Sequence, residues 1–320
     1  MLKWLLVIFL ELILAACALV SVTGFLGELN ILFEIFSHTR IILSFVLLVL
    51  STLLFLLRRK VATFVSAGFL FLNLLLILPY YAPMEKSTLS DSTKLSILQI
   101  NVQGGLNTDY KKTMDLVKTE KPHIVALTEI TSGWSNYLDR ALKDYPYRTV
   151  EPRLGGVAVY SKIPLIDSEV RYTGKIKRPR IVSKVKLDGK ETQLIFAHPV
   201  IPIIHKNLRN EELEIIGNEA RNHEGPVIVF GDLNTTPWSC YFKKLLKDGG
   251  LSDSQMGFGI QPSWSVRWTW PLFPIDHLLV SNHFQILDRK TLKSVDSDHL
   301  PVLVSLQLKK SQSQQSQKVH

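Results

Sequence analysis

One stretch of the sequence sets a carboxylate and an amide at the end of a short apolar strand: Val227-Ile228-Val229-Phe230-Gly231-Asp232-Leu233-Asn234. A continuous β-branched and aromatic run of this length reads as a strand covered on both faces. Pro226 before it and Thr235-Thr236-Pro237 after it punctuate its ends. Asp232 and Asn234, two apart on an extended chain, point to the same side. A carboxylate so placed can orient water or hold a cation, and the amide beside it can donate to an anion. An Asx-type turn that only closes a strand accounts for the same octapeptide equally well.

Five other apolar runs also end in polar, metal-capable or proton-carrying residues. They are Leu95-Ser96-Ile97-Leu98-Gln99-Ile100-Asn101-Val102-Gln103, His123-Ile124-Val125-Ala126-Leu127-Thr128-Glu129, Leu194-Ile195-Phe196-Ala197-His198, Pro274-Ile275-Asp276-His277-Leu278-Leu279-Val280-Ser281 and Ser297-Asp298-His299-Leu300-Pro301-Val302. Each alone is an ordinary strand end. Together, in this order over residues 94–308, they resemble the endonuclease/exonuclease/phosphatase superfamily of DNase I-like nucleases, sphingomyelinases and inositol polyphosphate phosphatases. The Gly-Asp-Leu-Asn and Ser-Asp-His signatures carry most of that resemblance.

The resemblance implies an α/β fold, a four-layer αββα sandwich with the site at the strand ends between two sheets. It implies a metal-dependent phosphoric ester hydrolase in which Glu129 holds a divalent ion with support from Asn101 and Asp298. Asp232 would orient or deprotonate the attacking water, Asn234 would hydrogen-bond the phosphoryl group, and His198 would donate to the scissile phosphate. Asp276 would orient His299, whose part as base or as cationic phosphate ligand stays open. Two positions depart from the pattern: Gln103 stands where many relatives have a second asparagine, and Pro199 follows His198. The tyrosine-bearing motif of the abasic-site endonuclease branch is missing there, which argues against that branch.

The elements that must position these groups follow from periodicity. Residues 95–100, 124–127, 193–197 and 300–308 read as strands, and 110–120 and 208–222 as helices from the Met114/Val117 and Leu213/Ile216 spacings. Gly155-Gly156-Val157 to Pro164 reads as a strand that packs rather than reacts. Lys175-Ile176-Lys177-Arg178-Pro179-Arg180 is a cationic cluster expected on a loop, either simply solvated or touching substrate or lipid headgroups. Trp264, Trp268, Trp270 and Phe273 crowd one segment that would line a cleft, enter a bilayer interface or pack under the sheets.

The 320 residues are 46% hydrophobic with a net charge of +9, of which +2 falls in residues 1–90 and +7 beyond them. A basic catalytic part admits a polyanionic or phosphate-bearing substrate or an anionic membrane surface. Cys17 and Cys240 make no disulfide framework, and no CxxC or His/Cys zinc spacing occurs. Oxygen ligands remain, with histidine as a further option, which favours Mg2+, Mn2+ or Ca2+ over thiolate-bound zinc.

Residues 4–26, 41–57 and 61–78 are apolar stretches of about the 17–25 residues that cross a bilayer core. Arg58-Arg59-Lys60 and Lys3 would stay in the cytoplasm by the positive-inside rule, leaving the chain after Leu78 on the outer face of a bacterial inner membrane. Glu11 inside the first stretch calls for a polar partner or a function. Leu14-Ala15-Ala16-Cys17 resembles a lipoprotein processing box, although the apolar run continues past it. The expected organisation is thus a membrane anchor with three transmembrane helices over 1–83, a linker over 84–93, a catalytic domain over 94–308 and a disordered tail over 309–320.

The reading that follows is a membrane-tethered phosphoesterase on the extracytoplasmic, periplasmic side, acting on nucleic acid, a phospholipid or a lipid-linked phosphate. A catalytically silent domain that binds a phosphate-bearing ligand for a membrane complex is the alternative. Eight site residues argue against silence, and the spans hold no obvious polar pathway apart from Glu11, which argues against transport.

Overall fold

The computed structural model describes residues 1–83, 92–267 and 273–309. Two compact units form: Met1–Ala82 together with Thr235–Lys243, and Pro83–Asn234 together with the chain from Lys244 onward. Trp268, Trp270, most of the 84–93 linker and the tail from residue 310 lie outside the described residues.

The first unit is helical: α1 (Leu2–Thr23), α2 (Ile31–Ser37), α3 (Arg40–Leu56) and α4 (Lys60–Ile77), closed by a 3-10 turn at Leu78–Tyr81. α1 and the span Lys60–Tyr81, each of 22 residues, are long and apolar enough to cross a membrane, and α2 with α3, bent by 67°, makes a third if taken as one span. Leu14, Leu47, Leu50 and Leu54 pack inward while Phe9, Leu12, Phe45, Phe55, Phe64 and Phe71 remain exposed. A helix apolar all round is what a hydrocarbon solvent selects.

Polar side chains inside this unit bond to one another. Arg40 Nη1 donates to the Ser21 carbonyl at 2.8 Å and to Asn73 Oδ1 at 3.0 Å, and Asn73 Nδ2 donates to Ser21 Oγ at 2.9 Å. Glu11 finds its partner in Arg59 of the basic turn, at 2.7 Å. The segment Thr235–Lys243 is knitted into the same unit: His38 Nδ1 lies 2.8 Å from Thr236 Oγ1, and Trp238 Nε1 donates to the Leu76 carbonyl at 3.2 Å.

The second unit holds β1 (Lys94–Asn101), α5 (Tyr110–Glu120), β2 (Ile124–Thr128), α6 (Ser132–Ala141), β3 (Tyr147–Glu151), β4 (Val157–Ser161), β5 (Ile166–Thr173), β6 (Arg178–Leu187), β7 (Lys190–Ala197), α7 (Pro202–Arg221), β8 (Val227–Asp232), β9 (Leu251–Asp253), β10 (Asp276–Ser281), β11 (Phe284–Thr291) and β12 (Val302–Leu308), while α8 (Cys240–Gly249) begins in the segment shared with the first unit. The strands make two six-stranded mixed sheets, ordered β11-β12-β1-β2-β4-β3 and β5-β6-β7-β8-β10-β9. β1 runs parallel to β2, and β7 parallel to β8.

Alternation along each strand builds the layers. Ile97, Ala126 and Val304 of the first sheet meet Leu194, Phe196, Ile228 and Phe230 of the second in one core. Leu98, Ile100, Val125 and Leu127 point the other way, against Met114 and Val117 of α5 and Trp134 and Leu138 of α6. With both faces covered, the strands read as unbroken apolar runs rather than alternating ones. Leu213 and Ile216 of α7 are buried on the far side of the second sheet, which completes the four-layer α/β sandwich.

Two expectations about elements change. The cationic cluster is not wholly a loop, because Arg178 and Arg180 already belong to β6 and Arg180 pairs with Glu219 at 3.0 Å. The helix expected at 208–222 starts at Pro202, where proline's missing N–H costs nothing in a first turn.

Candidate active site

The end of β8 lies in register with the start of β10, so that Asp232 stands opposite Asp276. Gly231 has φ +134°, and a Cβ there would collide with the Ala197 carbonyl of β7. Only glycine lets the two backbones approach so closely at this point. Asp232 Oδ1 accepts the Asn234 N–H at 3.0 Å, an Asx turn. The turn uses one carboxylate oxygen and leaves Oδ2 aimed into the site, so turn and chemistry coexist in one side chain.

Three residues at the mouth, Gln103, Glu129 and Asn234, hold left-handed backbone at φ +48°, +58° and +49°. Such strain in non-glycine residues clusters where geometry is imposed for function. Asn234 Nδ2 donates to the Pro199 carbonyl at 2.9 Å, and its own carbonyl receives Arg209 Nη1 at 3.0 Å.

Asn101, at the end of β1, is the hub. Its Oδ1 accepts the Gln103 N–H at 3.0 Å, which fixes the amide orientation, since only oxygen can accept there. Nδ2 is then turned on Glu129 Oε1 at 2.9 Å and Asp232 Oδ2 at 3.1 Å. So turned, the amide gathers the two carboxylates.

Two histidines complete the cluster. His299 Nδ1 lies 2.8 Å from Asp276 Oδ2, and its Nε2 lies 3.7 Å from Asp232 Oδ2. Burial opposes charge on His299, but Asp276 and Asp232 outweigh it and raise the imidazole to about 10. Burial likewise pushes Asp276 up, and the facing His299 charge with its hydrogen bond overcomes that and holds the carboxyl below its usual range. His198, buried at the end of β7, is lowered to about 3 by burial and then by Arg178. Its Nε2 lies 3.7 Å from Glu129 Oε1 and 3.6 Å from Asp232 Oδ2.

Glu129, His198 and Asp232 offer ligand atoms within 4.8 Å of one another, as do Asp232, Asp276 and His299. The carboxylate-rich set fits a hard divalent cation. Asp298 belongs to neither group: its Oδ2 accepts the Trp264 indole N–H at 3.1 Å. Gln103 Oε1 is taken by Arg267 Nη2 at 3.1 Å. Trp264 therefore packs beside the dyad, with its ring centroid 6.3 Å from that of His299.

Sequence reasoning missed three contributors. Ser297 donates to the Asn101 carbonyl at 2.6 Å and accepts the His299 N–H at 3.1 Å, joining β1 to the Ser-Asp-His turn. Ser263 Oγ accepts the Asp276 N–H at 3.3 Å. Arg178 was visible only as one charge in a cluster, and it reaches His198.

Burial raises Asp232 to about 7, with the Asp276 and Glu129 charges adding to the rise and His299 opposing it. A divalent ion needs the ionised carboxylate. Below pH 7 the ion must displace a proton from Asp232, and above it there is none to displace. Apparent Mg2+ affinity should therefore fall by up to about tenfold per unit as pH drops below that value and level off above it. Calorimetric titration on both sides of the transition checks this.

Residues 98–299 match the model of the Endonuclease/Exonuclease/phosphatase family. The chain belongs to that family. No curated protein matches the chain. Among solved structures, TDP2 of D. rerio complexed with a single-strand DNA product is 16% identical at a TM-score of 0.58, covering 67% of this chain and 99% of its own. An endonuclease/exonuclease/phosphatase family protein of Bacteroides thetaiotaomicron is 18% identical at 0.57, covering 68% of this chain and 96% of that one. One from Beutenbergia cavernae is 20% identical at 0.55, covering 67% and 72%. These likenesses establish the shared fold, and the family's hydrolase character accompanies it.

Proposed function

We propose that this chain is a membrane-tethered phosphoesterase that uses a divalent metal, Mg2+ or Mn2+, to hydrolyse a phosphate ester carried at the bilayer surface, on the extracytoplasmic side of a cell inner membrane. The observation that carries the reading is the convergence of Glu129, His198, Asp232 and the Asp276–His299 pair on one small volume. A domain that merely bound phosphate would have no use for two carboxylates, Glu129 and the buried Asp232, facing the anion.

Glu129 and Asp232 would hold the ion, which supplies charge neutralisation and an acidified water. Asn101 keeps the two carboxylates at hydrogen-bond distance from one amide, so they are placed before substrate arrives. Asp232 orients the attacking water and takes its proton. With its imidazole raised to about 10, His299 is an imidazolium at neutral pH and donates from Nε2 to the phosphoryl oxygens rather than acting as base. His198 and the Asn234 amide are further donors to the same group.

The choice of a bilayer-borne ester rests on chain continuity. Asn234 is followed after one residue by Thr236, which the apolar helical unit holds through His38. Helices long and apolar enough to cross a membrane are part of the same chain as the site, which favours a substrate held at that surface. Nucleic acid is the second reading, favoured by the +7 charge beyond residue 90 and by the DNA product bound to the D. rerio relative.

The full chain in anionic phospholipid vesicles, given phospholipid, prenyl phosphate, single-stranded DNA and RNA with Mg2+ or chelator, separates the two. Chelator-sensitive release from a lipid substrate is expected. DNA or RNA cleavage alone would move the substrate to nucleic acid, and silence from a folded, metal-binding protein would overturn the enzyme reading.

A further inference from the structure

The part His198 plays depends on which of its ring nitrogens carries the proton. Two neighbours compete for its Nδ1: Arg178 Nη2 at 3.2 Å and the Gly155 carbonyl at 3.3 Å. If Nδ1 carries the proton it donates to Gly155, and the Nε2 lone pair then faces Glu129 and Asp232 as a metal ligand. If Nδ1 is bare it accepts from Arg178, and Nε2–H faces the carboxylates and any phosphate between them. The two tautomers give different sites.

Guanidinium settles the competition because it only donates and stays charged. Opposite a protonated Nδ1 it would set two N–H groups head to head. The arginine is also held where it must be, with Nη1 donating to the Leu154 carbonyl at 2.9 Å and Nε to the His198 carbonyl at 3.2 Å. Gly155, at φ +82°, leaves the room: a Cβ there would fall on the guanidinium. The backbone on both sides of the histidine is thus shaped around Arg178.

We propose that Arg178 is a positioning residue that selects the Nε2–H tautomer of His198, making that histidine a hydrogen-bond donor to the phosphate and withholding it from the metal. The assignment of a phosphate and a metal to the site rests on the function proposed above, whereas the tautomer is a property of the protein alone. By excluding an imidazole nitrogen, Arg178 leaves an oxygen ligand set, which selects magnesium or manganese against zinc, cobalt and nickel.

The test uses the full chain in detergent micelles, metal-free and labelled with 15N histidine, with the His198 resonances assigned by their loss in His198→Gln. The expected spectrum has a bare Nδ1 and a protonated Nε2 in the wild type, and a shift toward Nδ1–H in Arg178→Met. The same variant should raise the ratio of Zn2+ to Mg2+ affinity by about tenfold or more, the scale on which changes around a site shift metal affinity, because an imidazole nitrogen joins the ligand set. If Arg178→Met does not fold, Gly155→Ala keeps the arginine and displaces its guanidinium, and the same two changes are expected. A protonated Nδ1 in the wild type, or an unchanged tautomer and metal ratio in the folded variants, would overturn the proposal. Neither readout requires turnover, so a failure of the function leaves this result standing on its own.

Discussion

Asp232→Asn lowers kcat by a factor of about 10³ to 10⁴, the range for losing a positioned base, while the metal-free protein stays as stable as the wild type or becomes more so. The two halves have one cause. Asn keeps the Oδ1 that accepts the Asn234 N–H, so the turn at the end of β8 survives. It removes a buried carboxylate that burial has already pushed to about 7, and with it a charge that only a cation or a proton offsets. Residues tuned for chemistry commonly cost stability in this way. Steady-state kinetics with a thermal melt of the metal-free chain reads both, and near-normal turnover would remove Asp232 from the reaction.

Asp276→Asn is the second large effect, with kcat down by about 10² to 10⁴ from a misoriented imidazole and a changed pH profile. The sign follows from the facing charges. Asp276 and Asp232 raise His299 to about 10, so the imidazolium donor persists through neutral pH and is lost only as pH rises through that value. Without the Asp276 charge the imidazole titrates lower, and the alkaline limb of kcat moves to lower pH in the variant. If His299 served as a neutral base instead, activity would rise along that limb, and a limb that does not move would separate Asp276 from His299 altogether.

Much of this site was legible because its residues end strongly apolar strands. Asn101, Glu129, His198 and Asp232 terminate β1, β2, β7 and β8 or stand one residue beyond, and parallel pairing of β1 with β2 and of β7 with β8 carries those ends to the same edge. Asp276 opens β10 and His299 precedes β12, and antiparallel pairing of those strands with β8 and β1 brings their starts to that edge. The edge strands β5 and β11 were harder to see: both carry mixed charge, are half exposed and contain register shifts, and the shift in β11 breaks its period of two. Arg178 was hidden by charge, since its neighbours Lys175 and Lys177 are exposed and only the geometry of β6 turns it inward. Asp298 also accepts a hydrogen bond from the Trp264 indole, a partner that no spacing in the chain announces. Thr235–Lys243 joins the apolar helices through contacts more than a hundred residues apart, where the sequence showed only the end of a turn.

Water, activated among Glu129, Asp232 and a divalent ion, is expected to attack phosphorus. The full chain turning over bis-p-nitrophenyl phosphate with Mg2+ in 18O-labelled water shows whether it does, read by mass spectrometry of both products. One solvent oxygen is expected in each aryl phosphate and none in the nitrophenol, with turnover abolished by chelator and by Asp232→Asn. Label in the nitrophenol, turnover that survives both treatments, or no turnover from a folded, metal-loaded chain would contradict it.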